Sequence, residues 1–322
     1  MLLLLSLLTL QACSTKFQPL PGFETTSQFG EQVRTFTNDF GVRIHVNAPA
    51  SDKLARHNDV TLVFYGLPNG NTIEQTVGRK IKEGDDWHFD IQHIGAQTRF
   101  LRNVITNESL VVAYLENDLK SWPAWRKKHG DQEIPKILAS VTKLFGGSVK
   151  KTILTGHSGG GSLTFGYLNT VETIPRDIHR IGFLDSNYAY ETSLHRDKLI
   201  QWLKDSEQHS LLIFAYHDDV ALLNGKTFVS ASGGTWGRSH LMRKDFESEF
   251  SFREDTMDEI KTWSARNNRL RFFLKENPEK KIYHTVQVER NGFIHLVLAG
   301  TPHENIGYQY FGSRAYTNHI GD

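Results

Sequence analysis

The chain has 322 residues, 39% of them hydrophobic, 11% aromatic and 23% charged, with 37 Lys+Arg against 36 Asp+Glu for a net charge of +1. This balance argues against a partner held by broad phosphate neutralisation, nucleic acid included, and a single cysteine excludes an internal disulfide framework or a cysteine-rich metal site. One large folded domain or two small ones remain, with chemistry drawn from Ser, His and Asp side chains.

The first ten residues, MLLLLSLLTL, form an apolar run too short to span a bilayer, which takes about 20 residues, but of the length of a signal-peptide core. The run ends in Leu10-Gln11-Ala12-Cys13, followed by the polar Ser14-Thr15-Lys16. This resembles a bacterial lipoprotein signal, in which the peptide is cut before a cysteine that receives lipid. The resemblance implies that residues 1–13 are a signal, that Cys13 is lipidated, and that the mature chain is anchored to a membrane of the bacterial envelope. A plain secretory signal or an uncleaved anchor is the alternative, giving a periplasmic or secreted protein. Residues 14–30 carry two Pro, two Gly and no apolar period, so they read as a tether, with the folded domain spanning 31–322.

Strand and helix patterns then alternate. Gln32–Thr37 and Val42–Val46 read as a hairpin, and Val60–Tyr65 (VTLVFY) as a strand buried on both faces. Ser109–Leu115, Lys151–Thr155, Arg180–Leu184 and Leu211–Tyr216 repeat that pattern, and the alternating Ile282–Glu289 (IYHTVQVE) reads as an edge strand. Helices are expected over Asp131–Phe145, with its stripe of Ile134, Ile137, Leu138, Val141 and Phe145, and over Thr192–Ser206. Strands alternating with helices of this length predict right-handed βαβ units and an α/β fold with a mainly parallel sheet. Residues 220–268 break the rhythm; they read as an excursion over the surface or a lid. Trp122 and Trp125, after the SLVVAYL strand, either line a pocket or pack under a loop.

Gly156-His157-Ser158-Gly159-Gly160 follows directly on the KTILT strand and precedes the helix-like SLTFGYLN. A G-x-S-x-G in a strand–turn–helix setting is a nucleophile elbow, a sharp turn that lifts the serine oxygen clear of the sheet at a helix N-terminus. Its flanking residues must be small, and the free N–H groups there favour a developing oxyanion. On this motif the chain resembles the α/β-hydrolase superfamily over about residues 31–315. The resemblance implies a mostly parallel sheet of about eight strands and a triad in the chain order serine, acid, histidine. It assigns Ser158 as nucleophile, with Leu67 N–H, in the Gly66-Leu67-Pro68 loop, and Gly159 N–H as oxyanion donors.

For the acid, Asp218 in His217-Asp218-Asp219 ends the second strand after the elbow strand, where the family often places it; Asp219 and Asp185 are the alternatives. For the base, His295 belongs just past the last strand if IYHTVQVE is that strand, and His303 does if FIHLVLAG is. His284 falls inside the expected strand and is set aside. The resulting expectation is an exported serine hydrolase that cleaves a small-molecule or polymer carboxylic ester through an acyl-enzyme, with no metal and no cofactor. A peptidase or amidase on the same triad, or a non-catalytic hydrolase fold acting as a surface binding lipoprotein, is the alternative.

Overall fold

The computed structural model describes residues 17–57, 59–220, 222–223, 226–227 and 234–322. The signal segment and Cys13 lie outside the described residues. The strands are β1 (Glu24–Thr25), β2 (Gln32–Thr37), β3 (Val42–Ala48), β4 (Val60–Gly66), β5 (Ser109–Asn117) and β6 (Val149–His157). They continue with β7 (Ile178–Leu184), β8 (Ser210–Tyr216), β9 (Leu222–Leu223), β10 (Lys226–Thr227), β11 (Arg253–Met257), β12 (Ile260–Ala265) and β13 (Leu270–Lys275). Among the described residues β9 and β10 pair only with each other. The other eleven form one sheet in the order β1-β2-β3-β5-β4-β6-β7-β8-β13-β12-β11.

The six central strands, β5 to β13, are parallel, and antiparallel strands extend the sheet on both sides. β4, β5 and β8 are buried along their whole length, because helices cover both faces. Each face carries its own core: Trp122, Ile137, Phe165 and Trp202 lie on one side, and Ile94, Phe293, Leu296 and Tyr316 on the other. The strand order from β2 to β13, with β3 reversed among parallel neighbours, is that of the α/β-hydrolase fold. β1, β12 and β11 take it beyond the expected eight strands.

Four expectations need correction. Ile282–Glu289 is not a strand: a loop carries residues 282–285 and a short helix covers Val286–Glu289. FIHLVLAG is not one either, but the helix Gly292–Leu298, buried on every side, where a short apolar run gives no period to separate helix from strand. The last parallel strand is β13, LRFFLK, paired with β8. Part of the expected excursion is thereby sheet: β12 and β11 extend β13 antiparallel, after the helix Gly234–Phe246. The ordered domain also reaches back beyond Glu31, since Phe23 is buried and β1 pairs with β2. Trp122 and Trp125 are buried and stack edge to face at 5.3 Å, so they pack the core.

Close approach at the centre of the sheet positions everything that follows. The end of β4 lies against the elbow so tightly that a Cβ on Gly160 would stand 2.0 Å from the Gly66 carbonyl oxygen, and one on Gly156 2.7 Å from the Gly160 backbone. Only hydrogen fits in either place. Gly160→Ala therefore lowers stability by about 2 kcal/mol or more through overpacking, while Gly147→Ala, where a Cβ meets nothing within 4 Å, leaves it nearly unchanged. Thermal denaturation of the two variants beside the wild type checks the contrast.

Candidate active site

Ser158 follows the last residue of β6 and has φ +54°, a left-handed conformation that a residue with a Cβ rarely adopts. A 3₁₀ turn, Ser158–Gly160, and the helix Gly161–Asn169 leave from it, so the serine sits where the first N–H groups of the turn point outward. The structure has the strand–turn–helix elbow that the motif requires. Its hydroxyl faces a cavity of about 1100 Å³, lined also by Asn69, Gly159, Tyr188, Tyr216, Asp218 and His284.

Asp185 ends β7 beside the elbow. It too is left-handed, φ +46°, and it is fully buried. Its backbone N–H donates to the Phe214 carbonyl at 2.8 Å, tying it to β8. One carboxylate oxygen accepts the Thr235 hydroxyl, and the other accepts the Nδ1–H of His284. His284 stands on the loop after β13, nine residues beyond Lys275. With Nδ1 donating to a carboxylate, the neutral imidazole carries its free lone pair on Nε2. A serine on a strained elbow and a carboxylate-oriented imidazole thus open on one cavity, an arrangement able to take a proton from the hydroxyl and hold it as imidazolium.

His157, the middle residue of the elbow motif, is buried beneath His284 with ring centroids 4.5 Å apart. Its Nε2–H donates to the His284 carbonyl at 3.0 Å, fixing the backbone of the loop. Burial, and secondly the neighbouring His284, hold its pKa well below the usual histidine value, so it stays neutral.

The sequence-predicted residues divide accordingly. Ser158 and Gly159 line the cavity, and so does Asp218, whose carboxylate accepts the Thr235 N–H at 3.0 Å and not a histidine. Asp185, the alternative acid, is the one that meets an imidazole. Asp219 points outward to Lys280 at 2.6 Å. His295 is on the helix Gly292–Leu298, stacked on Tyr310 with its Nδ1 3.0 Å from the Tyr308 hydroxyl; burial, with Arg271 adding to it, pushes its pKa down to about 3. It lines a different cavity. His303 lies in a turn past that helix, its N–H on the Thr301 hydroxyl. Leu67 is a correction as well: its N–H donates to the Leu115 carbonyl at 3.3 Å and is not free for an oxyanion. Asn69, two residues on, faces the elbow instead, and its amide oxygen stands 2.0 Å from where a Cβ on Gly159 would be. His284 is the residue that sequence reasoning missed. Its signal was the short apolar run LRFFLK followed by the Asn277-Pro278 turn, which together make it the first histidine after the last parallel strand.

No protein-family model and no curated protein sequence matches the chain. Among solved structures it is similar to the siderophore hydrolase EstB from Aspergillus nidulans, with 13% identity over 84% of this chain and 95% of that one and a TM-score of 0.43. It is similar to the poly(3-hydroxybutyrate) depolymerase LpqC from Bordetella parapertussis to the same identity and TM-score, over 84% and 89%. For poly(aspartic acid) hydrolase-1 from Sphingomonas sp. KT-1 the values are 14%, 79% and 93%, with a TM-score of 0.42. The fold assignment stands on the strand order and the elbow of the chain itself.

Asp218 gives the cavity a titratable wall. Burial, and then the nearby Asp185 carboxylate, push its pKa up to about 6. A carboxyl raised above its unfolded value of about 3.9 favours the folded state while protonated and loses that contribution as pH climbs through the folded value. Asp218→Asn keeps an acceptor for the Thr235 N–H and removes the charge. The variant is therefore expected to match the wild type near about pH 4 and to exceed it by roughly 1–3 kcal/mol near about pH 8. Thermal unfolding at both ends of that range decides it, and an Asn variant less stable at the alkaline end contradicts it.

Proposed function

We propose that the protein is a serine hydrolase that cleaves a carboxylic ester through an acyl-enzyme, with Ser158 as nucleophile, His284 as base and Asp185 as the acid that orients it. The observation that carries this reading is the Asp185–His284 pair opening onto the cavity of the left-handed Ser158. His284 Nε2 takes the serine proton as the hydroxyl oxygen attacks the ester carbonyl, forming a C–O bond and placing negative charge on the carbonyl oxygen. Asp185 stabilises the imidazolium without taking the proton. The Gly159 and Asn69 backbone N–H groups are the donors we assign to the oxyanion; Pro68 has no N–H, and Leu67 has spent its own. The imidazolium then gives its proton to the leaving alcohol, the C–O bond to it breaks, and water releases the acid by the same steps in reverse.

An ester fits the apolar part of the wall around the serine, where Tyr188, Tyr216, Ala189 and Ile282 line the cavity. Ser158→Ala, His284→Ala and Asp185→Asn should each lower kcat/KM for a p-nitrophenyl ester by about 10³-fold or more, with folding retained. His295→Phe and His303→Ala should stay within about tenfold of wild type on the same assay. A dead His295→Phe or His303→Ala beside an active His284→Ala would overturn the assignment.

We also propose that the chain is exported and anchored by lipid on Cys13. The apolar run and the position of the only cysteine support this. Among the described residues no helix is long and apolar enough to cross a membrane. Mass spectrometry of protein expressed in a bacterial host is expected to find a mature N-terminus at Cys13 carrying acyl chains; an unmodified chain with another start contradicts lipidation.

A further inference from the structure

Asp218 has no part in the proposed proton transfers, yet the fold keeps its carboxylate in the wall of the Ser158 cavity. The residue is 3% exposed. One carboxylate oxygen accepts the Thr235 N–H at 3.0 Å, and the other has no hydrogen-bond partner among the described residues. The charged groups that act on it are the Asp185 carboxylate, which repels it, and His284, whose Nδ1–H already goes to Asp185. A buried carboxylate without a counterion costs several kcal/mol. A cation entering the cavity removes that cost.

The cavity's own cations do not supply it. Arg126 is paired with Asp131 through bonds of 2.6 and 2.8 Å, and Lys127 is exposed. Both belong to the helix Trp122–His129, which follows β5, whereas Asp218 follows β8. In the sheet, β6 and its serine lie between those two strands. Cation and carboxylate therefore approach Ser158 from different sides.

The Asp218 side is also aromatic. Tyr216, the last residue of β8, and Tyr188, three residues past Asp185, line it. Burial first, and then the Asp185 and Asp218 carboxylates, hold both phenols above their usual pKa, so the rings stand beside the carboxylates and stay neutral. A neutral tyrosine ring attracts an alkylammonium through its π face, more strongly where water is excluded. An anion is repelled by Asp218 here, and an uncharged group leaves it unpaired.

Resting on the ester-hydrolase reading, we propose that the substrate is an ester carrying an alkylammonium group, seated at Asp218 against Tyr188 and Tyr216 while Ser158 attacks the carbonyl.

Calorimetric binding to full-length Ser158→Ala at about pH 8, where the Asp218 carboxylate is charged, tests this with two isosteric pairs. Acetylcholine is set beside 3,3-dimethylbutyl acetate, and ethyl 4-(trimethylammonio)butanoate beside ethyl 5,5-dimethylhexanoate, so that each pair differs only in charge. In at least one pair the cation is expected to bind about tenfold or more tightly than its neutral partner. Adding Asp218→Asn should bring the two within about twofold, and adding Tyr188→Leu should weaken the cation by about threefold. Equal binding within both pairs, tighter binding of the anion monoethyl glutarate, or a preference that survives Asp218→Asn overturns the proposal. Turnover by the wild type separates it from the reading on which it rests. Ester hydrolysis without any cation preference removes this proposal alone, whereas cation preference without turnover of any ester keeps the ammonium site and overturns the hydrolase.

Discussion

The partly buried contact between Asp185 and His284 joins two loops 99 residues apart in the chain, and the proposed chemistry depends on it. A carboxylate with no solvent around it must be satisfied on both oxygens, or its burial costs several kcal/mol. Thr235 satisfies one and the imidazole the other. The requirement runs both ways: the carboxylate fixes the ring and tautomer of His284, and His284 holds the loop after β13 against the end of β7. From below, His157 fastens the same loop through its carbonyl. The motif residue next to the serine thereby acts on the base as well as on the turn.

This contact is possible because the sheet brings its carboxyl ends together with almost no slack. Gly66, Gly156 and Gly160 let β4 and the elbow meet backbone to backbone. A Cβ on Gly161 would stand 2.0 Å from the Ser186 carbonyl, so the turn after β7 presses on the helix that leaves the serine. Ser186 closes the arrangement by donating its hydroxyl to the Gly156 carbonyl at 2.9 Å. Strain at Ser158 and Asp185, the left-handed residues of the site, is held in place by this packing.

The buried parallel strands were legible because runs such as VTLVFY and SLVVAYL have one physical use, and the elbow because four glycines in six residues next to such a run have few. The proposed acid was less legible. Asp185 and Asp218 end neighbouring strands at the same sheet edge, and only a contact with a distant loop separates them. The proposed base was hidden by two look-alikes. IYHTVQVE alternates like a strand but buries the adjacent Gln287 and Val288 as a helix does. FIHLVLAG is apolar throughout and buried throughout, whichever structure it takes. The true last strand, LRFFLK, is only six residues long with charges inside it, and Arg271 and Lys275 are buried there because Glu304 and Glu259 neutralise them. Local pattern cannot supply that pairing. The register that assigned His284 to a strand interior followed from missing it.

The most direct test of the account is a crystal structure of the protein after reaction with a fluorophosphonate. The account predicts phosphorus bonded to Ser158 Oγ, a phosphonyl oxygen about 2.7–3.1 Å from the Gly159 and Asn69 N–H groups, and His284, still paired with Asp185, facing the adduct. An unmodified Ser158, or an adduct whose nearest imidazole is any histidine other than His284, would contradict it.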